Sequence, residues 1–325
     1  MKHLLILFST YLILIGCNKA PEAHNYTYYY WRTKLALDAT EKNSLAKTTT
    51  PILYTRYFDI DKKDGKFFPV GTITKDSTFV TDRSITPVIY ITNRSMMGIT
   101  NDELKFLAKS ITDLISKKNA EFGLKTNQEI QIDCDWTKGT RDDYFKFLKV
   151  LKEVSKKNIT STLRLHQARD TKQMGIPPVD KVYLMCYSTS SPLDTSDRNS
   201  ILDVQILKNY LSNLDDYPIK NIDIALPIYS WGIVTNHMGQ HKLINGLSAK
   251  DLNNADFKKL SDYEIEVTKD GFYFGYLLNK GFKLKIEEIS KEQLKETTDF
   301  LDSKIKRYNI VYYHLDSRFT ENYTL

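Results

Sequence analysis

The strongest constraint on this chain is a recurrence. Eight short runs rich in β-branched, aromatic and aliphatic residues follow one another, most of them separated by a helical pattern or by a connection long enough for a crossover. The runs are Tyr26–Thr33, Pro51–Ile60, Thr86–Asn93, Glu129–Trp136, Ser161–Gln167, Lys181–Tyr187, Ile222–Trp231 and Asn309–Leu315. Between them, Leu104, Leu107, Ile111, Leu114 and Ile115 recur at helical spacing behind a Thr100/Glu103 capping box. Phe145, Leu148, Leu151 and Val154 share one face of Arg141–Lys156, and Asp203–Leu214 reads as a helix. Ser290 and Gln293 cap a last helix that runs to about Lys306. Parallel strands need such crossovers. Eight of them in 325 residues predict an α/β fold, a (β/α)8 TIM barrel. The alternative, an open doubly wound sheet, normally carries a Gly-rich phosphate turn after its first strand, and none is present.

One stretch departs from the alternation. Val234–Ile289 lies between the seventh run and the last helix, and reads as a small α+β insertion after strand seven. Within it, Tyr263–Thr268 and Phe272–Leu278 flank Lys269-Asp270-Gly271, a hairpin signal. Hydrophobic residues at 41% and charged residues at 26% exclude a mostly disordered chain. The net charge of +6 is spread along the sequence, so no nucleic-acid partner is expected.

Residues 1–17, MKHLLILFSTYLILIGC, have a basic start and an apolar run from Leu4 to Ile15. That run is short of the roughly 20 residues of a membrane span and suits a signal peptide. Its end, Leu14-Ile15-Gly16-Cys17, resembles the lipobox of bacterial lipoproteins, which implies cleavage before Cys17 and acylation of its thiol. The expected organisation is a leader (1–17), a polar tether (18–25) and a barrel (26–325) held in the bacterial cell envelope, at the outer membrane or on the periplasmic side. Cys134 and Cys186 fall on non-neighbouring strands and are expected as buried free thiols rather than a disulfide. No metal-type cysteine spacing exists, His237 and His241 read as ordinary loop histidines, and no cofactor is expected.

In such barrels the chemistry sits at the C-terminal strand ends. Those ends offer Trp31, Asp59, Asp61, Asp133, Asp135, His166, Gln167, Tyr187, Tyr229, Trp231, Tyr313 and Asp316. Acids, amides and aromatic faces are the groups that bind sugars, so an oligosaccharide or polysaccharide partner is expected. Strand four is the most informative. In Ile130–Thr137 (IQIDCDWT), alternation sends Asp133 and Asp135 to one face and Ile132, Cys134 and Trp136 to the other. Two carboxylates on an inner face are costly without partners; Arg164 alternates onto the same face as His166 and can neutralise one of them. The 21 tyrosines fit either β packing or a sugar-binding surface.

Here the chain resembles the chitinase-like family 18 glycoside hydrolases, whose strand four carries DxxDxDxE. The match is Ile132-Asp133-Cys134-Asp135-Trp136-Thr137. Met185-Cys186-Tyr187-Ser188 is similar to the family's strand-six Met-x-Tyr-Asp, Pro227-Ile228-Tyr229 to its strand-seven Pro-x-Tyr, and Tyr313-His314-Leu315-Asp316 to its final-strand Trp-x-x-Asp. Arg56-Tyr57-Phe58-Asp59, Leu165-His166-Gln167 and Ala225-Leu226-Pro227 resemble a group of bacterial lipoproteins with a glycosidase-like barrel. The family resemblance implies that Asp135 orients a substrate acetamido group and that position 137 supplies the general acid. That position holds Thr137, the motif's first Asp is Ile130, and the Asp after the strand-six Tyr is Ser188. A hydroxyl is too weak an acid to protonate a leaving oxygen near neutral pH. Three functions follow: glycan binding with lost or much reduced hydrolysis, hydrolysis by relocated carboxylates with Asp133 and Asp135 as the catalytic pair, or a scaffold that binds a protein partner.

Overall fold

The computed structural model describes residues 24–193 and 197–321. The leader, Cys17 and most of the tether lie outside the described residues. Eight parallel strands close on themselves: Tyr26–Tyr30, Ile52–Lys63, Ser84–Ile91, Glu129–Asp133, Asn158–Arg164, Val182–Met185, Ile222–Pro227 and Ile310–Tyr313. Closure is visible in the first strand. It pairs with the eighth through Tyr26↔Ile310 and with the second through Tyr29↔Tyr54. The expected (β/α)8 barrel is therefore the fold, with an antiparallel insertion after strand seven.

The crossover helices form where apolar spacing and caps coincide. Asn101–Phe122 begins at a Thr100/Glu103 capping box, ends at left-handed Gly123, and buries Leu104, Leu107, Ile111 and Ile115. Arg141–Ser155 buries Tyr144, Phe147, Leu148 and Leu151. Lys291–Asp302 starts at the Ser290/Gln293 box. Cys134 and Cys186 are buried free thiols, since strand five lies between their strands.

Beneath the mouth, the barrel is filled by tyrosines. Tyr29 and Tyr54 rings lie 5.5 Å apart, and Tyr54 and Tyr183 rings 5.2 Å. The Tyr54 and Tyr183 hydroxyls are 2.7 Å apart, and Tyr183 donates to Glu129 at 2.7 Å.

Strand ends differ from the sequence expectation. The fifth strand stops at Arg164, and Leu165–Arg169 turns into a short helix in which Gln167 accepts from the Arg164 backbone N–H. The fourth stops at Asp133, leaving Asp135 and Trp136 just past it. The seventh stops at Pro227, and Trp231 instead opens the insertion. The second runs on to Lys63 and folds back antiparallel onto Lys66–Val70 through Asp64-Gly65, both with positive φ. That pair of left-handed residues is what a tight two-residue hairpin needs.

The insertion is a five-stranded antiparallel sheet of Trp231–Thr235, His241–Asn245, Phe257–Lys259, Glu264–Val267 and Lys283–Glu287, with its own small core around Val267, Leu278 and Leu284. The expected Asp270-Gly271 hairpin does not form. Glu264–Val267 pairs with Phe257–Lys259 and Lys283–Glu287, while Gly271–Tyr273 pairs with Tyr276–Leu278. The positive φ values fall at Phe274 and Gly275, so the turn sits there. His241 bonds Thr235 at 2.9 Å and His237 packs on Phe282, so the two histidines serve the insertion's own hairpin.

Candidate functional site

A cavity of about 600 Å³ opens at the C-terminal ends of the strands. Of the residues expected there, Trp31, Asp59, Asp133, Asp135, Tyr187, Tyr229, Trp231 and Tyr313 line it. Its apolar wall is an aromatic cluster. Tyr187 stacks on Tyr313 at 5.4 Å, and Tyr229 stands edge-on to both, at 6.2 and 5.7 Å. Trp231 lies 5.3 Å from Tyr229 and Trp31 5.5 Å from Tyr313. Burial pushes the Tyr229 phenol up to about 12, so it is a neutral donor.

Asp133 sits at the base, 5% exposed. Thr162 donates to its Oδ1 at 2.8 Å. Burial first, then the nearby Asp135 charge, pushes the Asp133 carboxyl up to about 7. Asp135 is half-exposed and pairs with Arg164 Nη1 at 3.5 Å. Cys134 and Trp136 point the other way, and the Trp136 ring stacks on Tyr144 of the covering helix at 5.2 Å. On strand two, Arg56 and Asp59 form a bidentate pair, Nε to Oδ1 at 2.7 Å. Residues three apart on a strand normally face opposite sides. The register shift at Tyr57 puts both on the pocket side. Gly71 helps hold them, because a Cβ there would fall 2.7 Å from the Arg56 guanidinium.

Four expected residues lie off the lining. Asp61 is claimed by Arg94 and Thr92, and the Arg94 guanidinium holds its carboxyl well below the usual carboxylate range. The strand-end hairpin carries it past the mouth. Gln167 is fully buried and donates to the Trp136 carbonyl at 3.0 Å, a structural bond. His166 turns away with the short helix and is half-buried, which lowers its pKa. Asp316 is buried behind the wall and bonds Arg318 through both oxygens. Its charge survives burial because of those bonds, and its pKa falls. Thr137 is exposed, is not part of the lining, and is tied to Thr140.

Arg56, Tyr90, Ser230, Asn245 and Phe319 also line the cavity and were not expected. Asn245 comes from the insertion, where it pairs directly with Trp231. Behind Trp231 stands Glu287, 1% exposed, which accepts from Trp231 Nε1 at 2.8 Å and from the Ser200 backbone at 3.0 Å. Among the described residues no group of three or more His, Cys, Asp or Glu is placed to hold a metal ion, and no helix is long and apolar enough to cross a membrane.

No protein-family model matches the chain, and no curated protein does. Solved structures do. The spore cortex-lytic enzyme SleL of Bacillus cereus superposes with a TM-score of 0.53 at 15% identity, over 93% of this chain and 74% of that one. A chitinase of Chromobacterium violaceum gives 0.54 at 10% identity, over 92% and 97%. A Bacillus thuringiensis chitinase gives 0.52 at 12% identity, over 91% and 66%. The chain thus has the barrel fold of chitinases and a spore cortex-lytic enzyme, at identities that speak for the fold alone.

Proposed function

We propose that this is an envelope glycan-binding barrel whose chitinase-type hydrolytic step is lost or much reduced. The observation that carries the reading is the pairing of an aromatic, acid-based cavity with an exposed alcohol where the resemblance calls for a general acid. Tyr187, Tyr229, Tyr313, Trp31 and Trp231 offer faces for sugar C–H surfaces, while Asp133 and Asp135 offer oxygens to hydroxyls and amides. Thr137 has no proton to give at neutral pH and does not reach the cavity. Losing a general acid removes about 10²–10⁴ in rate. The lipid anchor and the envelope location rest on the Leu14–Cys17 pattern.

Calorimetric titration with N-acetylated and plain oligosaccharides tests the reading. Binding of at least one, lost in Tyr313→Ala, is expected, with aryl glycosides turned over slowly at most. Absence of any sugar ligand would leave a protein-binding scaffold. One observation favours a second reading. Asp133, its carboxyl pushed up to about 7 by burial first and then by the Asp135 charge, lines the cavity and has the proton inventory of a relocated acid. Glycosidase-like turnover abolished by Asp133→Asn would establish that reading instead. Cys17→Ser should release the protein from membranes, and retention would refute the anchor.

A further inference from the structure

The cavity is lined by four arginines, Arg32, Arg56, Arg164 and Arg318, and three aspartates, and the two sides balance their charges differently. Asp59, Asp133 and Asp135 gather on the side of strands two to four, where Arg56 pairs with Asp59 and Arg164 with Asp135; burial first, and then these carboxylates, raise the pKa of Tyr90. The opposite corner, built from the ends of strands one and eight, presents Arg32, His314 and Arg318. No carboxylate of that corner lines the cavity. The two that balance the arginines stand behind them: Glu41, fully buried, meets Arg32 Nη2 at 2.7 Å, and Asp316 takes Nε and Nη2 of Arg318 at 2.9 and 2.8 Å.

Arg32 and Arg318 both line the cavity, and neither gives its Nη1 to the carboxylate behind it. Arg32 spends Nη2 on Glu41 and the Ala36 carbonyl, and its buried Nε has no hydrogen-bond partner. Arg318 spends Nε and Nη2 on Asp316, and its Nη1 lies against Gly246, where a Cβ would come within 2.5 Å. His314 Nδ1 is likewise buried without a partner. Burial first of all, and then the two guanidiniums, push the imidazole down to about 4 despite Asp316, so it is a neutral hydrogen-bonding ring at pH 7. Buried polar groups without partners are costly in a native fold, and the charge of this corner is what the cavity presents to a ligand. Guanidiniums fixed from behind by carboxylates are pre-organised, so an oxyanion bound in front meets donors already in place. Asp133 lowers the opposing negative field by holding its proton near neutrality.

We propose, building on the glycan-binding reading, that the ligand is an acidic saccharide, whose carboxylate or sulfate sits in the Arg32–His314–Arg318 corner while its ring lies on the Tyr187–Tyr229–Tyr313 cluster. The neutral end of the sugar then meets Asp135 and Asp59. The corner selects among glycans by charge, and the aromatic wall contributes affinity without that selectivity.

The experiment is calorimetry on the full chain with four probes in two pairs: a hyaluronan tetrasaccharide against the same tetrasaccharide with its carboxyls reduced to alcohols, and 6-O-sulfated against plain chitotriose. The expected result is about tenfold or tighter binding of a charged probe over its neutral counterpart, as charge-assisted bonds imply. A gain in the first pair identifies the carboxylate, a gain in the second the sulfate. Arg318→Gln should erase the gain and leave affinity for the neutral probes within about twofold, a comparison that also reports a folded cavity. Equal or better binding of the neutral probes overturns the acidic ligand while the glycan reading stands. Equal loss of charged and neutral probes in Arg318→Gln overturns the assigned corner. Binding of no probe overturns both readings.

Discussion

Two layers of tyrosine occupy the same barrel and do different work. The lower layer, Tyr29, Tyr54 and Tyr183, is sealed from the cavity: Tyr54 and Tyr183 bond each other and Tyr183 spends its hydroxyl on Glu129, while the buried Tyr29 hydroxyl has no hydrogen-bond partner. The upper layer, Tyr187, Tyr229 and Tyr313, makes similar ring contacts but faces a cavity. Tyr183 and Tyr187 lie on one strand and its extension, four residues apart and on the same face. The difference is depth. A deeply buried phenol can be bonded only inside the protein, as Tyr54 and Tyr183 are, whereas one at the mouth can offer its hydroxyl to a ligand. Composition alone cannot divide 21 tyrosines between packing and recognition, but position in the barrel does.

The contrast can be broken at several points. Tyr183→Ala should cost about 3–5 kcal/mol of stability, the usual range for deleting a buried aromatic, and denaturant unfolding would show it. Tyr313→Ala should cost far less stability yet remove glycan binding. If the two variants have the same profile, the layers are not distinct.

Asp133 offers a second lever. Its folded pKa, about 7, lies above the ordinary value of about 4. The native state then binds more protons than the unfolded chain between those values, so this group's contribution falls as pH rises from about 4 to 7. Asp133→Asn keeps an acceptor for Thr162 and should flatten that decline, by a few kcal/mol in order of magnitude. Parallel stability–pH curves for wild type and variant would remove Asp133 as a proton-holding group. A smaller effect is expected from Tyr54→Phe, about 1–3 kcal/mol, because Tyr183 loses a partner in a buried site. The smallest belongs to Tyr229→Phe, which should weaken sugar binding by about 0.5–1.5 kcal/mol with stability unchanged.

Much of the barrel was legible in the sequence because local signals agreed with the global fold. The capping boxes at Thr100/Glu103 and Ser290/Gln293 open helices as their spacing implies. Alternation correctly separated Asp133 and Asp135 from Cys134 and Trp136. What failed was what depends on backbone departures from regular strands. Leu165-His166-Gln167 continues an apolar run, yet Gln167 caps a helix and takes His166 out of the mouth. The bulge at Tyr57 brings Arg56 beside Asp59, and no residue pattern announces it. The Asp64-Gly65 signal, which sends Asp61 past the rim, was present, while the Asp270-Gly271 signal proved empty because Phe274-Gly275 turns that hairpin. Asn245 reaches the cavity through pairing with Trp231, a relation that appears once the insertion is folded.

The seam between Tyr26 and Ile310 has a consequence for how the molecule comes into being. Staves two to seven can assemble in order as they emerge, but the ring cannot shut until its last member arrives, nearly the whole chain after its first. Such sequence-distant pairing slows folding, and until it happens two open β edges are available to any neighbouring chain. Until that last pairing forms, the protection of the barrel's edges rests on something other than its own fold.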